Sequence, residues 1–143
     1  IKELENLIHP CGFYKNKAKN IKTCANQVLN DFNGIVPNNM EDLLTLAGVG
    51  RKSANVILLE VYGIANGIAV DTHAKRISNK MGLSNESDPS KIEADLIKIF
   101  DKDDLKFINH LFVWHGRNTC TARNPKCSNC TVKEFCKYNS SLK

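Results

Sequence analysis

Long apolar runs are missing from this chain. The longest, Val56 to Val70, is interrupted by Glu60 and Asn66 and falls short of the ~20 residues a membrane helix needs. The first residues, Ile1-Lys2-Glu3-Leu4-Glu5, carry charges where a secretory signal needs an apolar core, and no lipid-anchor motif is readable. Internal repeats and low-complexity segments are also lacking. Aromatic residues are sparse, at 7%, yet 42% hydrophobic and 24% charged residues are the balance of a soluble globular chain. That balance excludes collagen, coiled coil and disorder. A length of 143 residues suits one domain, or one with a small appendage. The chain opens on Ile1 rather than Met, so it is expected to be processed or a piece of something longer.

What charge there is sits unevenly. Arg117, Arg123, Lys126, Lys133, Lys137 and Lys143 face a single acid, Glu134, so the tail carries the whole net charge of +5 and the rest is neutral. A neutral body with a basic tail suggests a surface that meets a polyanion. A solvated, charged C-terminus is the plainer alternative.

Almost every stretch reads with a helical period, and none reads as a strand. Residues 15–32 place Ala18, Ile21, Ala25, Val28, Leu29 and Phe32 on one face, and Gly34 stops the run. Asn39 is a cap for 40–46, with Glu41 and Asp42 in the first turn, where negative charge is favoured. A helix follows from Arg51 to Tyr62, ended by Gly63, and Asp71 caps 72–81, ended by Gly82. Asp88-Pro89 starts the next helix, with Ile92, Leu96, Ile99 and Phe100 as its buried face. The last, over 103–115, carries Leu105, Ile108, Leu111, Phe112 and Trp114. Helices joined by short turns imply an all-α bundle.

After Gly116 cysteines take over, as Cys120-x6-Cys127-x2-Cys130-x5-Cys136. Cys11 and Cys24 lie elsewhere in helical context and read as buried, inert thiols, which argues against a disulfide framework. Four thiols in a loop with little apolar content need a metal to organise them. Zinc usually takes two paired Cys-x-x-Cys knuckles. Only one close pair is present here, and the irregular wrap favours an iron–sulfur cluster, in which each thiolate reaches a different iron. Spacing leaves both metals open.

Leu46-Ala47-Gly48-Val49-Gly50 joins two helices. Its glycines let the backbone approach another body, and amides at a helix N-terminus suit a phosphate; an ordinary αα turn is the alternative. Arg51 and Lys52 then place two cations in the first turn of a helix, against its dipole. The rest of that helix is apolar nearly all round, so it is expected to be central and buried. A helix N-terminus and partial burial both favour a neutral Lys52 amine able to attack an electrophilic carbon, with Arg51 meeting a phosphate. Asp71, one helix and one loop later in Val70-Asp71-Thr72-His73, is a helix cap by itself. After so apolar an approach it also reads as a half-buried carboxylate able to take the lysine's proton and stabilise a cationic sugar. His73, His110 and His115 lack the spacing of a metal site and read as structural or phosphate-contacting.

With these residues in view, the chain closely resembles the endonuclease III branch of the helix-hairpin-helix DNA glycosylases. The matching pieces are Leu46 to Val56, Ile68 to His73, the four-cysteine tail, and Gly12-Phe13-Tyr14 with Lys17-Ala18. Ala47 departs from the proline usual in the family, which is expected to loosen the turn. The family also carries a substantial N-terminal stretch ahead of the point where this chain begins.

The resemblance implies an all-α helical bundle with a helix-hairpin-helix motif over 40–62 in a helical domain 1–101. A C-terminal helix and iron–sulfur cluster loop would occupy 102–143. It implies a bifunctional glycosylase and abasic-site lyase in which Lys52 attacks C1′, expels the base and forms a Schiff base, with Asp71 as the catalytic aspartate. Cys120, Cys127, Cys130 and Cys136 would ligate a [4Fe–4S] cluster. Gly48, Val49, Gly50, Arg51, Arg123 and Lys126 would meet the DNA backbone, and Phe13 would wedge into the duplex as the lesion flips out. The implied partner is double-stranded DNA with oxidised pyrimidines or abasic sites, bound by an intracellular monomer. Lys52 separates the chain from adenine-removing relatives, which lack that lysine. A non-catalytic DNA-binding module, or an inactive truncated homologue, is the competing expectation.

Overall fold

A computed structural model of the chain describes residues 1–142, and among them every regular element is helical. Two compact units are present, Ile1–Ala54 and a second beginning at Asn55.

The first unit holds α1 (Lys2–Leu7), α2 (Tyr14–Asp31), α3 (Met40–Thr45) and the start of α4 (Arg51–Tyr62). Its buried apolar residues are Ala18, Leu43, Leu46 and Ala54. α1 is absent from the sequence expectations because it buries none of its residues, so no apolar period marks it. α3 begins as expected: Asn39 Oδ1 accepts from the Asp42 amide at 2.9 Å. The expected face of α2 is a helical stripe, but Ile21, Ala25 and Leu29 are exposed and Ala18 alone is buried. Period fixes which side chains share a face, not whether another element covers it. Cys11, expected to be buried, lies exposed in the turn between α1 and α2, and Cys24 is only half-buried.

The second unit contains the rest of α4, α5 (Thr72–Met81), α6 (Pro89–Ile99), α7 (Leu105–Asn118) and α8 (Lys137–Ser140). Its core joins Ile68, Val70, Ala74, Ile77, Ile92, Leu96, Leu105, Ile108 and Phe112, with Phe100 edge-on to Phe112. Side chains at i, i+3 and i+4 converge there from three helices. The ends of these helices follow their local chemistry. Asp88 Oδ1 accepts from Ser90 and Lys91, and Pro89 takes the first position, where no amide is needed. Gly82 turns left-handed at φ +84°, and the amides of Gly82 and Leu83 both return to the Ser78 carbonyl. One expectation of burial fails on an outward face, that of Ile99, which is exposed; Leu111 and Trp114 on the last helix are exposed too. Phe107, Leu111 and Trp114 line the outer side of α7, opposite the buried Leu105, Ile108 and Phe112. α4 is likewise not central. Ala54, Asn55 and Leu58 are buried while Val61 faces solvent, because a helix of mixed packing needs only one covered stripe.

Candidate nucleic-acid interface and cluster loop

The connection from α3 to α4 is a tight turn whose two glycines differ in what the structure asks of them. Val49 N–H donates to the Leu46 carbonyl at 3.1 Å, and Gly48 between them sits at φ +80°, a conformation that penalises any side chain. Gly50 has no such demand, since a Cβ there would meet nothing within 4 Å. Its side of the turn is open to whatever approaches from outside. The Gly50 carbonyl accepts from Ala54 at 2.9 Å, starting α4, so the first-turn amides have no carbonyl of their own helix to meet. Val49 is half-buried; Gly48, Gly50, Arg51 and Lys52 are exposed. The expected partial burial of Lys52 is therefore not found: its position in the first turn points it away from the stripe that Ala54 and Leu58 bury.

α2 supports this turn in a way the sequence did not disclose. Gln27 Oε1 accepts from the Ala47 amide at 2.8 Å, while Gln27 Nε2 donates to the Thr45 carbonyl at 3.0 Å. Asn20 packs so close to Gly48 that an added Cβ would lie 3.0 Å from its own Cβ. The loosening expected from Ala47 is thus opposed by a side-chain strap. At the head of α2, Phe13 is 86% exposed and left-handed at φ +57°. A large apolar side chain held in a strained backbone and in water breaks two local preferences at once.

In the second unit Asp71 caps α5: its Oδ1 accepts from His73 and Ala74 amides, both at 2.8 Å, and the residue is half-buried. The segment that delivers it, Ile68 to Val70, is buried and extended without a strand neighbour. Buried backbone groups need partners, and side chains supply them. Glu93 Oε1 accepts from Ile68 N–H at 3.2 Å and from Asn55 Nδ2 at 2.8 Å. Asn55 Nδ2 also donates to the Ile68 carbonyl, and Asn109 Nδ2 to that of Ala69. Gly67 leaves the room, for a Cβ there would collide with Glu93 Oε1.

The four tail cysteines are unbridged and half-buried, and all line one pocket with Pro125 and Val132. Single helical turns at Cys127–Asn129 and Lys133–Phe135 space them. Among the described residues no group of three or more His, Cys, Asp or Glu converges as the ligands of one metal ion. A lone tetrahedral ion draws its ligands close, whereas a four-iron cluster holds each thiolate at a separate corner. Four thiols around one apolar-walled pocket fit the cluster. Burial pushes the Cys120 thiol up, more than Lys80 and Arg76 lower it, so the free thiol is protonated, and a metal bound through it would displace that proton. His115 Nε2 lies 3.8 Å from Cys130 Sγ, and burial lowers its pKa, keeping the ring neutral. His110 instead meets Glu60 at 2.9 Å, and His73 Nδ1 lies 3.2 Å from Arg76 Nη2. Arg123 and Lys126 are exposed on the loop between the first two cysteines, where Thr121 Oγ1 donates to the Asn124 carbonyl.

Lys52 thus sits in the first unit and Asp71 in the second, each in its own setting, while the cysteines share one. Residues 1–102 match the profile of HhH-GPD superfamily base excision DNA repair proteins, and residues 120–136 that of the iron–sulfur binding domain of endonuclease III. Endonuclease III of Synechocystis sp. is 46% identical over 134 residues, 94% of this chain but 61% of that protein. That of Rickettsia conorii is 39% identical over 140 residues, 98% of this chain and 66% of that one. A trapped covalent intermediate of endonuclease III with DNA, an estranged-adenine complex, superposes with a TM-score of 0.93 at 34% identity, over 99% of this chain and 66% of that one. The chain therefore spans between three fifths and two thirds of the curated relatives named here. No described helix is long and apolar enough to cross a membrane.

Proposed function

We propose that this chain, which belongs to the HhH-GPD superfamily of base excision DNA repair proteins, is a bifunctional DNA glycosylase and abasic-site lyase. Its substrate is duplex DNA carrying oxidised pyrimidines or abasic sites, which it meets as an intracellular monomer. One observation carries the reading: Lys52 stands exposed in the first turn of α4, directly after a turn whose Gly50 faces open space. A relative of this fold is known as a covalent intermediate with DNA, and a lysine so placed is the group to form one.

In the reaction, the Lys52 nitrogen forms a bond to C1′ of the damaged nucleotide as the bond from C1′ to the base breaks. The base leaves as its anion and is protonated by solvent water. Asp71 accepts the proton lost by the lysine nitrogen and opposes the positive charge that grows on the sugar. Ring opening gives a Schiff base between Lys52 and C1′. Loss of a C2′ proton then breaks the bond from C3′ to its phosphate oxygen, and water releases the lysine. The Gly48 and Gly50 amides, beside a Val49 amide already spent on the Leu46 carbonyl, hold one phosphate with Arg51, and Arg123 and Lys126 hold others, contacts that position the strand without reading sequence. Phe13, held out in water, fills the gap left by the flipped nucleotide.

The cofactor is a [4Fe–4S] cluster, and Cys120, Cys127, Cys130 and Cys136 would hold it. When bound it supplies the cross-links that order a loop without a core of its own.

Borohydride trapping on an abasic duplex tests the lyase. The parent leaves a covalent protein–DNA adduct and Lys52→Ala leaves none; an adduct that survives Lys52→Ala defeats the mechanism. A second reading, a DNA-binding module without catalysis, is favoured by the exposure of Lys52, which suits a phosphate contact equally well. That reading requires duplex binding by the parent without an adduct.

A further inference from the structure

The turn between α3 and α4 is held by its neighbours rather than by its own sequence. Leu46 to Val49 is closed by the Val49 amide on the Leu46 carbonyl, and Gly48 in the third position is left-handed. Ala47, in the second position, is not among the residues with positive φ. This is the arrangement of a type II turn, whose second position is the one proline stabilises by fixing φ. Leu46, at φ −73° and ψ 135°, already has the extended conformation that a following proline demands. The chain nevertheless carries alanine there.

Alanine retains an amide, and that amide is used. Gln27, four turns into α2 and 20 residues away, accepts it at 2.8 Å and returns a bond to the Thr45 carbonyl at 3.0 Å. The carboxamide therefore spans the end of α3 and the entry of the turn with both of its polar ends satisfied. Thr45 closes the local circuit through its own hydroxyl, which donates to the Asp42 carbonyl. α2 makes a second approach two turns earlier, where Asn20 fills the space against Gly48.

We infer that Gln27 is the positioning residue of the DNA-binding hairpin: its two-ended bridge fixes the entry of the turn, and so the direction of the Gly48 and Gly50 amides, in place of a proline at position 47. This rests on the reading of the hairpin as a phosphate clamp. Gln27 touches no DNA in this scheme and acts only through the turn. Bridge and ring are alternatives, because a proline at 47 removes the amide that Gln27 accepts.

A two-by-two cycle of the full chain tests this, with Gln27→Leu, Ala47→Pro and the double variant. A duplex containing a tetrahydrofuran abasic analogue, which the lysine cannot process, serves as the probe for affinity, and melting temperature is read on the same four proteins. Gln27→Leu should weaken binding about tenfold, the scale of two neutral hydrogen bonds lost at once, and lower the melting temperature. Ala47→Pro should weaken binding in the parent but restore it in the Gln27→Leu background. That change of sign is what a merely structural role would not produce. Equal effects of Ala47→Pro in both backgrounds, or unchanged affinity in a folded Gln27→Leu protein, overturn the inference. If the parent binds no duplex, the phosphate-clamp reading fails instead. The melting cycle then judges the bridge alone, a change of sign supporting it and additivity overturning it.

Discussion

Arg76 donates twice to the carbonyl of Cys120, 44 residues further along, from Nε at 3.1 Å and Nη2 at 2.7 Å. Nη2 also reaches the Gly116 carbonyl at 3.0 Å. One guanidinium on α5 thus gathers the carbonyls where α7 ends and the cysteine loop begins. The Gly116 carbonyl is one of the orphan carbonyls of the α7 C-terminus, the Cys120 carbonyl lies in the loop just beyond it, and a fixed planar fork is suited to collecting both.

Removing that fork should destabilise the second unit as a whole. Arg76→Ala leaves two half-buried carbonyls short of donors and is expected to cost about 3 kcal/mol, at the scale of hydrogen bonds to a charged group. Denaturant unfolding of the metal-loaded protein checks this, with bleaching of the cluster colour under a chelator as a second readout. A variant that keeps both its midpoint and its bleaching rate would show that α5 does not anchor the loop.

Two glycine-to-alanine changes should have opposite signatures. At Gly116 on α7 a Cβ would lie 2.5 Å from His73 Nδ1 and 2.9 Å from Arg76 Nη2, both on α5. Gly116→Ala is expected to cost about 1–3 kcal/mol by overpacking. At Gly50 the Cβ meets nothing, so Gly50→Ala should melt with the parent and instead lose duplex affinity, with a weaker dependence on salt. Loss of stability at Gly50 with DNA binding intact would reverse the assignment.

Glu93 is 2% exposed, yet it organises polar groups rather than apolar ones. Glu93→Ala strands the Ile68 amide and removes a partner of Asn55, and about 2–4 kcal/mol of stability should go with them. Glu93→Gln keeps an oxygen for both donors and should recover most of the loss. Thermal melts of the two variants decide the matter; equal damage from both would mean that charge, not hydrogen bonding, holds the segment before Asp71.

Metal content tests the tail directly. Protein purified without oxygen should be brown and carry about four irons per chain, as four corner ligands require. Cys127→Ser should lose colour and open residues 120–136 to proteolysis together. A colourless protein with one zinc would overturn the cluster and the reading of the irregular spacing with it.

Local signals carried further than distant ones. Asn39, Asp71, Asp88, Gly63 and Gly82 set the helix ends in the sequence because capping is chemistry between neighbours. The four-cysteine spacing announced a gathered set, and the cysteines do line one pocket. Gln27, Glu93, Asn109 and Arg76 were not legible as supports, because their partners lie 18 to 44 residues away and leave no period behind. His115 reads as structural or phosphate-contacting in the sequence, which does not disclose its neighbour, Cys130 Sγ. Exposure was the other gap. The stripe on α2 and the outer face of α7 are as periodic as buried ones, and only packing distinguishes them.

The outer face of α7 has a spectroscopic consequence. Trp114 is the sole tryptophan of the chain and is 66% exposed, one residue before His115. Indole emission follows the polarity around the ring, so the protein carries a single reporter colour set by how wet this face is. Any body laid across Phe107, Leu111 and Trp114 would move that colour toward the blue without a label having been added.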